Sequence, residues 1–507
     1  MKNKKAICFE IMAIILIAIF CFSLSPKTLQ NDTFYTIKIG EHIIENGKID
    51  MIDPFSWHEN LEYTYPHWLY DVIIYLIYSI CGMKGIYIST CIFSAILGIT
   101  IFETNSKLTK NKALSFVITL GAMYLLKGYI AARAQLVTFI LFTLQLYFME
   151  KLVDTSKKGY GIGLIIISIA IANLHVAVWP FMFVLYLPYI AEYIFAIFEE
   201  KTAQKYGKEV KQGEKILVVK RDETKYLIIV MLICIFTGLL TPLGTTPYTY
   251  LIKTMQGNTT KNINEHLPMT LINCVPILCI LIIFVQLLAV SKTKIRMTDL
   301  FMLGGLVLLM LYSKRQATMF VLMCSVILNR IIYQLFKEQN ENIDKKLIGV
   351  ATTWFGGFVV ISSVLILSLY FIRPQIKAKY IDENTYPVEM SNFILEYFEG
   401  NNIKLEDVRI YNEYNYGSYL LYKGIPVFID SRADLYAPEF NNGRDIFSDF
   451  IQSSNLDIWF EDILKKYDIT HVILYKDSKM NMIIKDGNLE GYNLLKEDDN
   501  FVFYEIN

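Results

Sequence analysis

Of 507 residues, 54% are hydrophobic, 14% aromatic and only 19% charged, and the formal net charge is +0. A soluble enzyme of this length carries more charge and less apolar surface, so the composition points to a bilayer. Zero net charge, with no basic stripe outside short loops, excludes a nucleic-acid partner. Cys8, Cys21, Cys81, Cys91, Cys234, Cys274, Cys279 and Cys324 all lie in apolar runs without a CxxC or CxxH pair, which excludes a disulfide framework and a zinc site.

The chain opens with lysines followed by about twenty apolar residues. That run ends in Cys-Phe-Ser-Leu-Ser-Pro without a small-residue cleavage site, so it reads as a retained first crossing rather than a signal peptide. Apolar stretches then recur at 84–103, 113–130, 135–150, 161–174, 178–198, 226–241, 270–290, 299–312, 316–333 and 348–372. Several fall short of the ~20 residues that a hydrocarbon core requires and must borrow semi-polar ends.

Charge sets the expected orientation. Lys2, Lys4 and Lys5 place the N-terminus in the cytoplasm, as do the basic loops around Lys107–Lys112, Lys151–Lys158, Lys201–Lys225 and Lys292–Arg296 and the mixed segment Lys337–Lys346. Only one crossing then fits between Ser25 and Lys107. The segment 67–82, which opens on His67-Trp68, carries Asp71 and is rich in tyrosine, is therefore expected to lie along the outer face. The fold class that results is a polytopic α-helical membrane protein with about eleven crossings, placed in the plasma membrane. A transmembrane domain covers 1–372, including an outer loop at 26–66, and a soluble extracytoplasmic α/β domain covers 373–507.

The tail is expected to begin after Pro374, which stops the last helix. It alternates a strand at Val408–Tyr411, a helix at Gly417–Tyr422, a strand at Val427–Ile429, helices at Phe447–Ile451 and Ile458–Lys466, and strands at His471–Tyr475 and Phe501–Tyr504.

Several residues carry chemistry. Asp32 follows the first crossing at the lip of the bilayer, where a carboxylate would act as general base toward a sugar hydroxyl or else cap the amphipathic stretch Phe34–Glu45. Asp53-Pro54-Phe55-Ser56-Trp57-His58 and Tyr65-Pro66-His67-Trp68 form either a carbohydrate-facing wall or a set of turns and interfacial anchors. The outer corners hold Arg133 with Gln135, Asn173 with His175, Glu265 with His266, and Arg315 with Gln316. Such arginines bind phosphate bidentately or snorkel to anionic lipid. In the tail, Asp430-Ser431-Arg432-Ala433-Asp434 follows a strand and forms either a ligand site or an internal ion pair that braces a turn. All six histidines (His42, His58, His67, His175, His266, His471) fall on the outer side, as wet loops or an external active site would place them.

An acidic residue directly after the first crossing, an outer amphipathic helix, Asp-Pro-Phe-Ser, His-Trp-Leu, Arg-Ala-Gln and Asn-Leu-His together resemble the GT-C superfamily of polytopic glycosyltransferases. They resemble more closely a group of bacterial membrane proteins with a Phe-Ile-Asp-x-Arg-x-Asp-Leu-Tyr segment, here Phe428–Tyr436. The resemblance implies transfer of a sugar from a polyprenyl-phosphate donor to a cell-envelope glycan, lipid or protein acceptor on the outer face. It assigns Asp32 as base and Arg315 and Arg133 to the departing phosphate. Substrate contacts fall on His58, His67, Gln135, His175, Glu265, Asp430, Arg432 and Asp434, and Asp32, His58, Arg133, His175, Glu265 and Arg315 are expected around one outer cavity. The corner Ala131–Gln135 lacks the second acid of the metal-dependent oligosaccharyltransferases, so no cofactor is expected and a divalent metal is disfavoured. The competing classes are a non-enzymatic assembly or export component and a lipid-linked polysaccharide polymerase or ligase.

Overall fold

The computed structural model describes residues 2–206, 215–257, 259–270, 272 and 274–507. Residues 207–214 of the basic Lys201–Lys225 loop lie outside the described residues. The chain forms two compact units, one of Met1–Pro26, Tyr87–Pro247 and Asn264–Lys377, the other of Lys27–Ile86, Tyr248–Ile263 and Ala378–Asn507. The boundary expected near Pro374 is thus only one of several cuts, because 27–86 and 248–263 group with the tail.

The first unit is helical. Among the described residues, six helices are long and apolar enough to cross a membrane: Lys4–Leu24, Trp68–Thr109, Ala134–Thr155, Val176–Lys205, Lys314–Gln339 and Trp354–Lys377. Five shorter apolar helices accompany them, Ala113–Tyr129, Lys158–Leu174, Thr224–Thr237, Val275–Val290 and Met297–Tyr312. Each falls on one of the apolar stretches read from the sequence. The helix Trp68–Thr109 breaks at Gly82, where φ is 60° and ψ −156°, a conformation that only glycine adopts freely. The expected separation of 67–82 from 84–103 is therefore a one-residue break rather than a loop. Pro374 does not end the last helix, which continues to Lys377. Proline removes one amide donor, but its fixed φ suits a helix, and a single further turn survives.

The second unit is built on a four-stranded mixed sheet. Ile410–Tyr411 runs parallel to His471–Tyr475, which pairs antiparallel with Phe501–Ile506, and that strand pairs antiparallel with the edge strand Tyr492–Glu497. The edge strand and the helices Val388–Gly400 and Lys479–Asp486 have no counterpart in the sequence reading. Val427–Ile429 is not a strand. Its backbone is satisfied instead by the side chain of Asn412, which accepts from Phe428 N–H at 2.8 Å and donates to Ile429 O at 2.7 Å. An isolated bridge from Val427 to Ser56 completes its pairing.

The segment 27–66 is an integral layer of this unit. Helix Asn31–Asn46 lies on helix Tyr414–Tyr422, with Phe34 between Tyr386 and Tyr419 at ring distances of 4.9 and 5.1 Å. Asn31 Nδ2 donates to Tyr414 O at 2.9 Å, and Leu29 N–H to Tyr380 O at 2.9 Å. Gly417 makes a close approach in the tail, because a Cβ there would sit 2.0 Å from Ile429 O and 2.9 Å from the Asp430 Cα. Backbone cannot yield as a flexible side chain would, so Gly417→Ala is expected to cost about 1–3 kcal/mol. Thermal unfolding of the detergent-solubilised protein, with limited proteolysis of the tail, measures the loss.

Candidate functional site

The sequence-predicted site residues divide between the two units. In the helical unit, Arg133, Gln135, His175, Glu265 and Arg315 come together. Arg133 Nη1 donates to Glu265 Oε1 at 3.1 Å, and Arg315 N–H to Glu265 O at 2.9 Å. Burial acts to raise the Glu265 carboxyl, but the charges of Arg133 and Arg315 outweigh it and hold the group ionised below its ordinary range. Burial and the Arg315 charge push the neighbouring His266 down to about 4. Gln135, Thr138, Arg315 and Gln316 line a cleft of about 30 Å³ with Phe139, Phe142 and Phe181. His175 Nδ1 stands 3.5 Å from the Thr138 hydroxyl. One arginine and two amides therefore face a narrow, partly aromatic recess. Such a set suits an oxyanion attached to an apolar chain.

In the second unit, the two motifs read separately from the sequence meet. Arg432 Nη1 donates to Asp53 Oδ1 at 2.6 Å, while its Nε and Nη2 donate to Asp430 at 2.9 and 2.6 Å. The three side chains are 2% (Arg432), 0% (Asp53) and 0% (Asp430) exposed. Tyr436 donates its hydroxyl proton to Asp430 at 2.7 Å, and Ser56 N–H caps Asp53 at 2.9 Å. Burial alone would raise the Asp53 carboxyl, but the Arg432 charge and the Ser56 bonds hold it below its ordinary value. Asp430 and Arg432 thus take the bracing arrangement, with their polar atoms engaged inside the unit.

His58 is likewise internal. Its Nε2–H donates to Phe428 O at 2.9 Å, and its ring lies 4.1 Å from Trp57 and 5.3 Å from Phe428. A wall open to substrate is therefore not what His58 forms: the loop folds inward onto the Phe428–Tyr436 segment. Asp434 accepts a close hydrogen bond from Tyr250.

Asp32 is half-buried in the first turn of helix Asn31–Asn46. The helix begins at Asn31, two residues ahead of where an Asp32 cap would start it, and Gln30 holds the cap position. One turn on, the Tyr35 hydroxyl stands 3.2 Å from His67 Nε2, and His67 Nδ1 lies 2.8 and 2.9 Å from the two Asp71 oxygens. The sequence showed Asp71 only as a charge in an apolar segment, and Tyr35 gave no signal.

A further cluster was missed. Glu150 accepts from Arg296 at 3.0 and 2.7 Å, from Arg330 at 3.1 Å and from the Tyr189 hydroxyl at 2.7 Å. Asp299 accepts from Arg296 and Arg330 at 2.7 Å each, and Glu192 from Arg221 at 2.9 Å. Three arginines offset three acids, as charges at helix ends within an apolar bundle require. Glu150, Asp299 and Arg330 inside apolar stretches were the available signal. Among the described residues, no group of three or more His, Cys, Asp or Glu is placed to hold a metal ion.

No protein-family model and no curated protein matches the chain. Solved structures do. The crystal structure of the Archaeoglobus fulgidus oligosaccharyltransferase in the apo form superposes with a TM-score of 0.56 at 11% identity, covering 92% of this chain and 69% of that one. The same enzyme tethered by a disulfide bond to an acceptor peptide containing the NVT sequon gives 0.53 at 11% identity, covering 98% and 74%. The chain therefore has a GT-C-like fold.

The depressed His58 carries a pH signature. Burial keeps its imidazole neutral to about 4 in the fold, whereas an unfolded chain takes up that proton below about 6.5. Stability is thus complete above about 6.5 and falls as the pH drops toward 4, by at most about 1.4 kcal/mol per pH unit for this group. His58→Phe is expected to reduce that slope, leaving the shares due to His266 and His471, which burial also depresses. Thermal melts between about pH 4.5 and 7.5, a range that spans the unfolded-chain ionisation near 6.5, read the slope independently of any overall loss of stability.

Proposed function

We propose that this protein is a membrane glycosyltransferase that moves a sugar from a polyprenyl-phosphate-linked donor to a cell-envelope acceptor on the outer face. The observation that carries the reading is the GT-C-like fold over 92% of the chain, matched to an enzyme named as an oligosaccharyltransferase. The cleft with Arg315, Gln135 and Gln316 supports it, since the charged and apolar parts of its lining match a phosphate and its hydrocarbon tail.

The reaction is a direct displacement. Asp32 accepts the proton of the acceptor hydroxyl as that oxygen attacks the anomeric carbon. The bond from carbon to the phosphate oxygen breaks, and its electron pair leaves with the phosphate. Arg315 is assigned to the charge that develops there. The donor set favours a metal-independent course: Glu265, the acid of this corner, is engaged by Arg133 rather than set beside a second carboxylate.

Asp32→Asn is nearly isosteric, so it is expected to leave the protein folded and inserted while transfer falls about 10²–10⁴-fold. The readout is the cell-envelope glycan of a deletion strain complemented with each version, and full complementation would remove the assignment. Arg315→Lys keeps the charge but loses the bidentate fork, and it is expected to weaken donor use more than Arg315 burial alone would suggest.

Orientation is tested separately. With the N-terminus cytoplasmic, about eleven crossings and an extracytoplasmic tail, Lys404→Cys should react with an impermeant thiol reagent on intact cells and Lys225→Cys should not. The reverse pattern would invert the topology and put the proposed site on the wrong face.

A further inference from the structure

Helix Asn31–Asn46 crosses the start of helix Trp68–Thr109 at Gly40, where a Cβ would sit 2.2 Å from Asp71 O. That contact sets the Tyr35 hydroxyl 3.2 Å from His67 Nε2 and the Thr36 hydroxyl against the Asp71 carboxylate. Asp71 is 0% exposed and His67 12%. A carboxylate and an imidazole buried together at the end of an apolar helix are expensive to retain without a use. Both Asp71 oxygens face His67 Nδ1, which keeps the proton on that nitrogen and leaves Nε2 as the acceptor for Tyr35. Tyr35 and Asp32 are three residues apart on one helix, so their side chains are neighbours, about 5–6 Å apart at Cβ.

We infer that Tyr35, His67 and Asp71 form a proton relay that drains Asp32, with His67 as the proton's destination during turnover. The inference rests on the transferase reading and adds three positioning residues to it. After Asp32 has taken the acceptor's proton, its carboxylic acid gives that proton to the Tyr35 oxygen as the Tyr35 hydroxyl proton moves to His67 Nε2. The imidazolium so formed faces the Asp71 carboxylate and later releases its proton to water. An imidazole near neutrality holds a proton that an ordinary carboxylate returns at once, so the relay keeps the acceptor oxygen from being reprotonated before the new bond is complete. The other ionisable groups around the pair are Tyr63 from the preceding loop and Arg432 from the tail, both within electrostatic reach of Asp71.

Two measurements on the full chain decide the matter. The first is ¹⁵N-histidine NMR of the protein in nanodiscs. His67 is expected to take up a proton between about pH 6 and 8. Asp32→Asn is expected to move that titration down by about half a pH unit, because it removes a nearby negative charge. A His67 that stays in one state from about pH 5 to 9, or one whose titration ignores Asp32→Asn, overturns the relay.

The second is the pH profile of transfer in membranes supplied with the radiolabelled total polyprenyl-linked sugar fraction of the parent cells. The acid limb is expected in the imidazole range, about 6–7, and to drop to the carboxylate range, about 4, in Tyr35→Phe and His67→Gln. A purely structural defect scales the whole profile and leaves its limb in place. A wild-type limb already in the carboxylate range overturns the relay alone, whereas a wild type that transfers nothing overturns the transferase reading and the relay's catalytic part with it.

Discussion

Arg432 is held between two carboxylates that come from distant parts of the chain, Asp430 beside it and Asp53 379 positions earlier. The second unit depends on this arrangement. Removing one partner from a buried charge set leaves the others uncompensated and typically costs about 3–5 kcal/mol, far more than the intact set contributes relative to an apolar replacement. Its value lies in specificity. Only one docking of the loop 47–66 brings Asp53 to the guanidinium, Ser56 to Val427, and Trp57 and His58 onto Phe428. Asn412 and Gly417 serve the same end from the other side by fixing the Phe428–Asp430 backbone that presents the arginine.

The helical unit solves a different problem by similar means. Glu150, Glu192 and Asp299 meet Arg221, Arg296 and Arg330 in a balanced network, in which each of the six charges has an opposite partner. Arg133 and Glu265 form a smaller pair. Arg315 differs: among the described residues no carboxylate lies within ion-pair distance of it, and it lines the cleft instead. Charges neutralised inside the protein shape it, whereas a cation facing a recess can meet a ligand, and that contrast is the physical basis for giving Arg315 a phosphate role and Arg432 a structural one.

The helix Asn31–Asn46 joins these themes. One face carries Phe34 into the aromatic cluster with Tyr386 and Tyr419, and so fixes the helix in the unit. Asp32 and Tyr35 flank that anchor. Burial of Phe34 thus helps to place the helix that carries the carboxylate of the proposed mechanism.

The sequence by itself determined the membrane class, the helix positions and most elements of the tail, because those depend on local quantities: apolar run length and the alternation of β-formers. It also marked Asp53, His58, Asp430 and Arg432 as unusual residues and left open whether they bind a ligand or brace a turn. Only the tertiary structure decided that question, since a buried ion pair and a solvent-facing one are written with the same letters. It likewise decided that 27–86 folds with the tail, that Val427–Ile429 is pinned by Asn412 instead of a neighbouring strand, and that Tyr35 meets His67. These are contacts between residues 16 to nearly 400 positions apart. No local pattern encodes them, because the free energy that selects them comes from desolvating and pairing groups that become neighbours only once the chain has folded.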